Sequence, residues 1–219
     1  MDNKNTMKRK ILDTAIRIFY DFGYNDTSLN MIAKSCNITK PLITYHFKTK
    51  SNLANEVNLY CNTVNKNMIT KKIYDCCGVY EEKINTAVEL ILKTHQFRVD
   101  EKAYRFYHER ANASFDNVFT SGSIELYNVH NRRYHLKMNA EIDELAMCAI
   151  ASRASSTALT ISYFSGHIQS SFEDFCDYVV SFPFRLMHFS DEDILDILNE
   201  SKKLINELDF KFEPYFCIV

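Results

Sequence analysis

Apolar side chains recur along this chain at three- and four-residue intervals almost from end to end, the spacing that lines one face of an α-helix. Ile11, Leu12, Ala15, Ile16, Ile18, Phe19 and Phe22 form the first stripe. Gly23 supplies its stop, because glycine adopts the left-handed conformation of a helix C-cap without steric cost. Leu29, Ile32 and Ala33 are the inner face of a short second helix, with Asp26 or Thr27 as N-cap. Asn37 tolerates positive φ and makes a sharp turn. A third helix is predicted from Thr39, a natural N-cap, with Pro41 in its first turn and Ile43 and Phe47 as its buried face. Lys40, Pro41, Leu42, Thr44, Tyr45 and His46 are then left facing outward.

The pattern continues beyond residue 50. Leu53, Val57, Tyr60, Val64, Met68, Ile69 and Ile73 sustain a helix of about six turns, ending near Cys76-Cys77-Gly78. Further helices are predicted from Ile84 to about Phe97, over 101–113, and around Tyr127, His130 and Tyr134 after a break at Ser121-Gly122-Ser123. A long one spans 141–164, rich in Ala and Ser between 149 and 158, with Gly166 at its end. Ser171 opens another, with Glu173 and Asp174 in its first turn, and Pro183 should kink or stop it. Ser190 caps a helix over 191–208, and the apolar tail 210–219 is expected to dock somewhere. No strand alternation, repeat or low-complexity run appears, so the fold class expected is all-α.

Composition agrees with this pattern. Among 219 residues there are only four Gly and three Pro, with 46% apolar and 25% charged side chains, a mix that excludes disorder and collagen-like repeats. No stretch approaches the roughly 18 apolar residues of a membrane span, and Met1-Asp2-Asn3-Lys4-Asn5-Thr6 lacks the apolar run of a signal peptide. Seven cysteines with no CxxC pair argue against a disulfide framework or a zinc ribbon. The setting expected is the reduced cytoplasm, with no membrane partner and no cofactor.

Charge changes the picture more. Residues 1–50 hold nine Lys/Arg against four Asp, a net of +5, whereas residues 51–219 hold 17 basic and 24 acidic residues, a net of −7. A small basic module facing a polyanion and a larger acidic body fit that split. Lys8, Arg9 and Lys10, placed in the first turn of the first helix, oppose its dipole and suit a start that meets phosphate. Helix, short turn, helix, with an outer face of Lys40, Pro41, Leu42, Thr44, Tyr45 and His46 and with Lys48 and Lys50 just beyond, is the helix-turn-helix plan, whose second helix enters the DNA major groove.

The run Gly23-Tyr24-Asn25-Asp26-Thr27-Ser28, then Ile32-Ala33, then Ile38-Thr39-Lys40-Pro41-Leu42-Ile43-Thr44-Tyr45-His46-Phe47-Lys48-Thr49-Lys50-Ser51-Asn52-Leu53 resembles the signature of TetR/AcrR transcriptional regulators. Two positions depart from it: Asn37 replaces the usual turn glycine, and Thr44 replaces a common aromatic DNA contact. The resemblance implies an N-terminal helix-turn-helix domain over 1–50 and an all-helical effector-binding and dimerisation domain over 51–219, with 191–208 an added helix. It implies that Lys40, Pro41, Leu42 and Thr44 face base edges, and that Tyr45, His46, Lys50 and Thr27 hold phosphates; Thr39 heads the reading helix and joins the DNA-binding set. Physical chemistry agrees with the sorting, since Pro41 and Leu42 offer only apolar contact and Lys40 reaches guanine acceptors. Tyr45 and His46 packing against the first helix is the plainer alternative.

The partners implied are a palindromic DNA operator, a second copy joined through helices at about 141–165 and 171–188, and a small-molecule effector. His95, Tyr104, Tyr107, His108, Tyr127, His130 and Tyr134 concentrate aromatic groups with polar tips and are the ligand-binding candidates. Arg105 and Arg110 would offset an anionic ligand or be solvated. The function expected is a repressor released by its effector, with an activator or ligand-independent regulator as the alternative. An enzyme or metal protein is disfavoured: the chain has no HExxH, no repeated Glu-x-x-His, no phosphate loop and no nucleophile elbow.

Overall fold

The computed structural model describes the backbone of residues 3–113 and 121–219, and side chains over 6–113 and 124–219. Its helices are α1 (Asn3–Phe22), α2 (Leu29–Cys36), α3 (Lys40–Phe47), α4 (Lys50–Cys77), α5 (Glu82–Val99), α6 (Glu101–Ala113), α7 (Ser121–Tyr134), α8 (Glu144–Phe164), α9 (Phe172–Leu186) and α10 (Asp191–Leu208). A hairpin of β1 (Phe212–Glu213) and β2 (Cys217–Ile218) follows. The chain forms two compact units. The first comprises 1–68, 96–115 and 211–219, and the second 69–95 and 116–210.

In the first unit the predicted stripe of α1 is its core. Ile11, Ala15 and Phe19 are fully buried, together with Ile32 of α2, Ile43 of α3 and Leu53, Ala54 and Val57 of α4. Phe106 of α6 closes the cluster, with its ring 5.2 Å from Phe19. Burying side chains of this size gives about 1.5–3 kcal/mol each, which is what holds helices of eight residues such as α2 and α3, too short to persist alone.

The second unit packs α7 on α8, α8 on α9 and α9 on α10. Phe175, Val180 and Phe184 of α9 and its C-cap Met187 are buried, and so are Ile194, Ile197 and Leu204 of α10. Tyr163 of α8 stacks on Phe175 with centroids 4.0 Å apart. Among the described residues, no helix is long and apolar enough to cross a membrane.

Several boundaries differ from the pattern-based expectation. Because α1 starts at Asn3, Lys8 to Lys10 lie past its first turn and do not oppose the dipole as expected. Ser121 to Ser123 do not break the chain but open α7. Residues 140–142 form a separate 3-10 turn, and Asp143 at φ 53 redirects the backbone before α8. Pro183 does not stop α9 at once: it lies in the last turn, where it forfeits one hydrogen bond, and the helix closes through Met187 N–H on the Pro183 and Phe184 carbonyls. The tail is a hairpin, with Phe212 opposite Ile218.

Candidate nucleic-acid interface

The α1–α2 turn is fixed by residues that each do one job. Gly23 has φ +78, a conformation that favours glycine, and a Cβ there would lie 2.6 Å from Glu109 Oε2, so the Glu109 side chain of α6 would have to shift to admit one. That same carboxylate oxygen accepts from Asn25 N–H at 2.7 Å. Arg105 of α6 donates to the Asp21 carbonyl at 2.7 Å, and Lys102 pairs with Asp21 at 2.8 Å. Two cations thus sit on the negative end of the α1 dipole. Of the two arginines singled out in the sequence, Arg105 caps α1, and buried Arg110 donates to Asn55 Oδ1 at 3.1 Å.

Ser28, rather than Asp26 or Thr27, is the N-cap of α2, with its hydroxyl accepting from Met31 N–H at 3.2 Å. Thr27 is 2% exposed, and its hydroxyl donates inward to the Gly23 carbonyl at 2.6 Å. Asn37 has φ 54, the left-handed geometry that a two-residue-deep turn needs, and Thr39 is extended ahead of Lys40 without a side-chain cap bond.

On α3, Ile43 and Phe47 are buried, while Lys40, Pro41 and Tyr45 are exposed and Leu42, Thr44 and His46 are partly so. Tyr45 is 58% exposed and its ring meets His46 edge-on at 5.2 Å. Thr44 Oγ1 donates to its own Lys40 carbonyl at 3.0 Å, so the hydroxyl turns lone pairs outward. From Thr27 through Lys50 there are four lysines, Lys50 included, and no acidic residue.

The far end of α3 is equally constrained. Lys48 has φ 66 and donates its N–H to Thr44 O at 2.9 Å, and Thr49 caps α4 by accepting from Asn52 N–H at 3.0 Å. Lys50 folds back over the Tyr24 ring at 4.3 Å. Its ammonium donates to the Tyr24 carbonyl at 2.9 Å and the Thr27 carbonyl at 3.0 Å. It is thereby a bolt between the start of α4 and the α1–α2 turn. Arg9 pairs with Asp13 and donates to Tyr60 Oη at 2.6 Å, which raises its pKa, chiefly through the Asp13 hydrogen bond.

The seven ligand candidates divide between the units. Tyr104, Tyr107 and His108 belong to the first, where Tyr107 packs on Phe97 at 4.5 Å and Tyr104 stacks on His108 at 5.7 Å. His95, Tyr127, His130 and Tyr134 belong to the second. There His95 meets Phe172 at 5.0 Å, and Tyr127 donates to the Pro183 carbonyl at 3.3 Å. Burial raises the Tyr127 phenol. Buried His130 shares Nδ1 with the Leu126 carbonyl at 2.9 Å, and its ring lies 5.7 Å from Tyr134. Tyr134 bonds Glu81 and accepts from Lys83 N–H, and burial pushes its pKa up to about 12. Among the described residues no group of three or more His, Cys, Asp or Glu is placed to hold a metal.

Sequence reasoning missed Glu109, Arg105 and Lys102 as the latch on the α1–α2 turn, and Asn65 as the partner of the hairpin. The close approach demanded at Gly23 was the one local signal for the latch.

Known proteins agree with this geometry. The family profile described as bacterial regulatory proteins, tetR family, matches residues 11–57, which covers α2 and α3 and the packed portions of α1 and α4. The biofilm operon icaADBC HTH-type negative transcriptional regulator IcaR of Staphylococcus aureus is 31% identical over 109 residues, 48% of this chain and 54% of that protein. The HTH-type transcriptional regulator AcrR of Shigella flexneri is 44% identical over 50 residues, 23% of each chain. The chain therefore spans about half the length of IcaR, and less of AcrR. The fold resembles RolR in complex with resorcinol, at TM-score 0.58 and 10% identity over 89% of this chain and 94% of that one. It also resembles a TetR-family regulator from Rhodococcus sp., at TM-score 0.52 and 16% identity over 83% and 99%. Residues 11–57 thus match the tetR family of bacterial regulatory proteins, and the fold of the chain is similar to that of a TetR-family regulator.

Proposed function

We propose that this protein is a dimeric, sequence-specific transcriptional repressor that a small molecule releases from its operator. The observation that carries the reading is the outer face of α3: a helix held at both ends, apolar and buried on one side, with Lys40, Pro41, Leu42, Thr44 and Tyr45 turned outward. Lys40 suits guanine O6 and N7, and Pro41 and Leu42 suit the thymine methyl. Thr44, its proton committed to its own backbone, serves as an acceptor for adenine N6 or cytosine N4. Tyr45 and His46 hold phosphate, with Thr39 at the head of the helix. Thr27 and Lys50 contribute through the turn they fix, where the N-terminus of α2 offers backbone N–H groups to a phosphate.

Residues 1–50 are the reading module and 51–219 the effector-binding and dimerising body, at work in the cytoplasm. A helix-turn-helix gains its selectivity from two half-sites. Helices α8 and α9 are the elements proposed to pair with their twins, where Met147 and Tyr178 stay about half exposed. The effector is assigned to the second unit, with Tyr127, His130 and Tyr134 on α7 and His95 on α5 as its candidate contacts; Tyr104, Tyr107 and His108 on α6 are ligand candidates of the first unit. Release then requires the effector to prefer a conformation with the wrong spacing of reading helices. Capture of fragments of the host genome on immobilised protein tests the reading. A few fragments sharing an inverted repeat are expected, and recovery in proportion to abundance would overturn it.

A further inference from the structure

The last nine residues return to the unit that carries α1 to α3, and they do so through one side chain. Asn65, 9% exposed, donates Nδ2–H to the Phe216 carbonyl at 2.9 Å and accepts from Ile218 N–H through Oδ1 at 3.1 Å. An amide that both donates and accepts in this way imitates a neighbouring strand, so α4 provides the hairpin with a third edge. Gln96 Nε2–H adds a longer contact to the Cys217 carbonyl at 3.5 Å. The Phe216 ring sits 5.3 Å from Tyr20 of α1 and 5.0 Å from Phe106 of α6, and Tyr215 lies 5.1 Å from Tyr20.

The turn itself is unfavourable. Tyr215 and Phe216 both have φ 65, the left-handed region that bulky L-residues avoid. Such a turn persists where its surroundings over-determine it. Here they are the Asn65 clamp and two aromatic rings on α1 and α6. Those helices are the ones already joined at Gly23, Asn25 and Asp21, next to the start of α2.

We propose that the 211–219 hairpin is a clasp for DNA reading, with Asn65 and Phe216 as positioning residues that fix α4 and α6 against α1 and so set the aim of α3. The inference rests on the proposed operator binding. The clasp does not touch DNA: it holds the scaffold whose orientation decides whether α3 enters the groove.

The test compares full-length wild type with Asn65→Leu, Phe216→Ser and Phe216→Leu on a duplex captured by the wild type and on a scrambled duplex, at a temperature well below unfolding. Asn65→Leu and Phe216→Ser should lower the specific-to-scrambled affinity ratio about tenfold, while binding to the scrambled duplex and the helical signal stay unchanged. Phe216→Leu, which keeps an apolar anchor, should restore most of the ratio. Wild-type ratios in both damaging variants would overturn the clasp, whereas a wild type that captures no sequence would overturn the operator reading instead. If both variants fail to fold, hydrogen exchange on the wild type decides. The Ile218 amide must exchange no faster than the α1 core amides, and free exchange there would contradict a clasp.

Discussion

Gly23 and Lys50 carry more of the reading module's geometry than their side chains suggest. Gly23→Ala would force a β-carbon against the Glu109 carboxylate and hold an L-residue at positive φ, a cost of about 1–2 kcal/mol before any clash. Urea unfolding should register at least that loss. Lys50→Ala removes a cation from two close carbonyls and an aromatic face, which lowers stability by about 1–3 kcal/mol. It should weaken binding to every sequence while leaving the salt dependence unchanged, since the ammonium is spent on protein carbonyls. A slope reduced by about one unit would instead place it on a phosphate. Asn37 was legible from the sequence because a tight turn and a residue tolerant of positive φ coincide there. Thr27 was not, because whether a hydroxyl faces the turn or the solvent depends on the approach of α2 to α1.

At the level of elements, caps and stripes carried most of the information. Ser171 and Ser190 each accept from the third N–H of their helix, as their sequence context required, and α6 and α10 have the expected ends. Ser28→Ala should cost about 1 kcal/mol, seen as a lower urea midpoint and faster hydrogen exchange across α2. The start of α8 is a pH-sensitive point. The Asn139 N–H at 2.6 Å, with His188 at 3.1 Å, holds the Glu144 carboxyl below its ordinary range. A depressed carboxylate contributes stability that is present above the unfolded pKa, about 4.3, and lost as pH falls through the folded value. The protection factors of the 139–144 amides, taken relative to the intrinsic exchange rate at each pH, should therefore fall on acidification, and Glu144→Gln should abolish that dependence. The hairpin was invisible to periodicity because its strands are two residues long and its partner lies 151 residues away.

For the whole molecule, the division of charge was readable from the chain, and its basic end coincides with the residues 11–57 that match the tetR-family profile. The proposed subunit contacts and effector site were not, since an apolar stripe on α8 or α9 serves a monomer's core and a dimer's interface equally well. Buried aromatic residues such as Tyr127 likewise satisfy their hydroxyls inside the unit. Sedimentation should give a species of twice 25.6 kDa, reduced to one copy by Met147→Lys, and a persistent monomer in the wild type would remove the proposed pairing. The central claim is that the outer face of α3 reads bases. Its most direct measurement is the affinity of wild type and Lys40→Ala for a captured duplex and for versions altered one base pair at a time. The account predicts that the variant loses about 1–3 kcal/mol on the parent site and becomes indifferent to one base pair per half-site. An equal loss at every base pair altered, with discrimination intact, would contradict it.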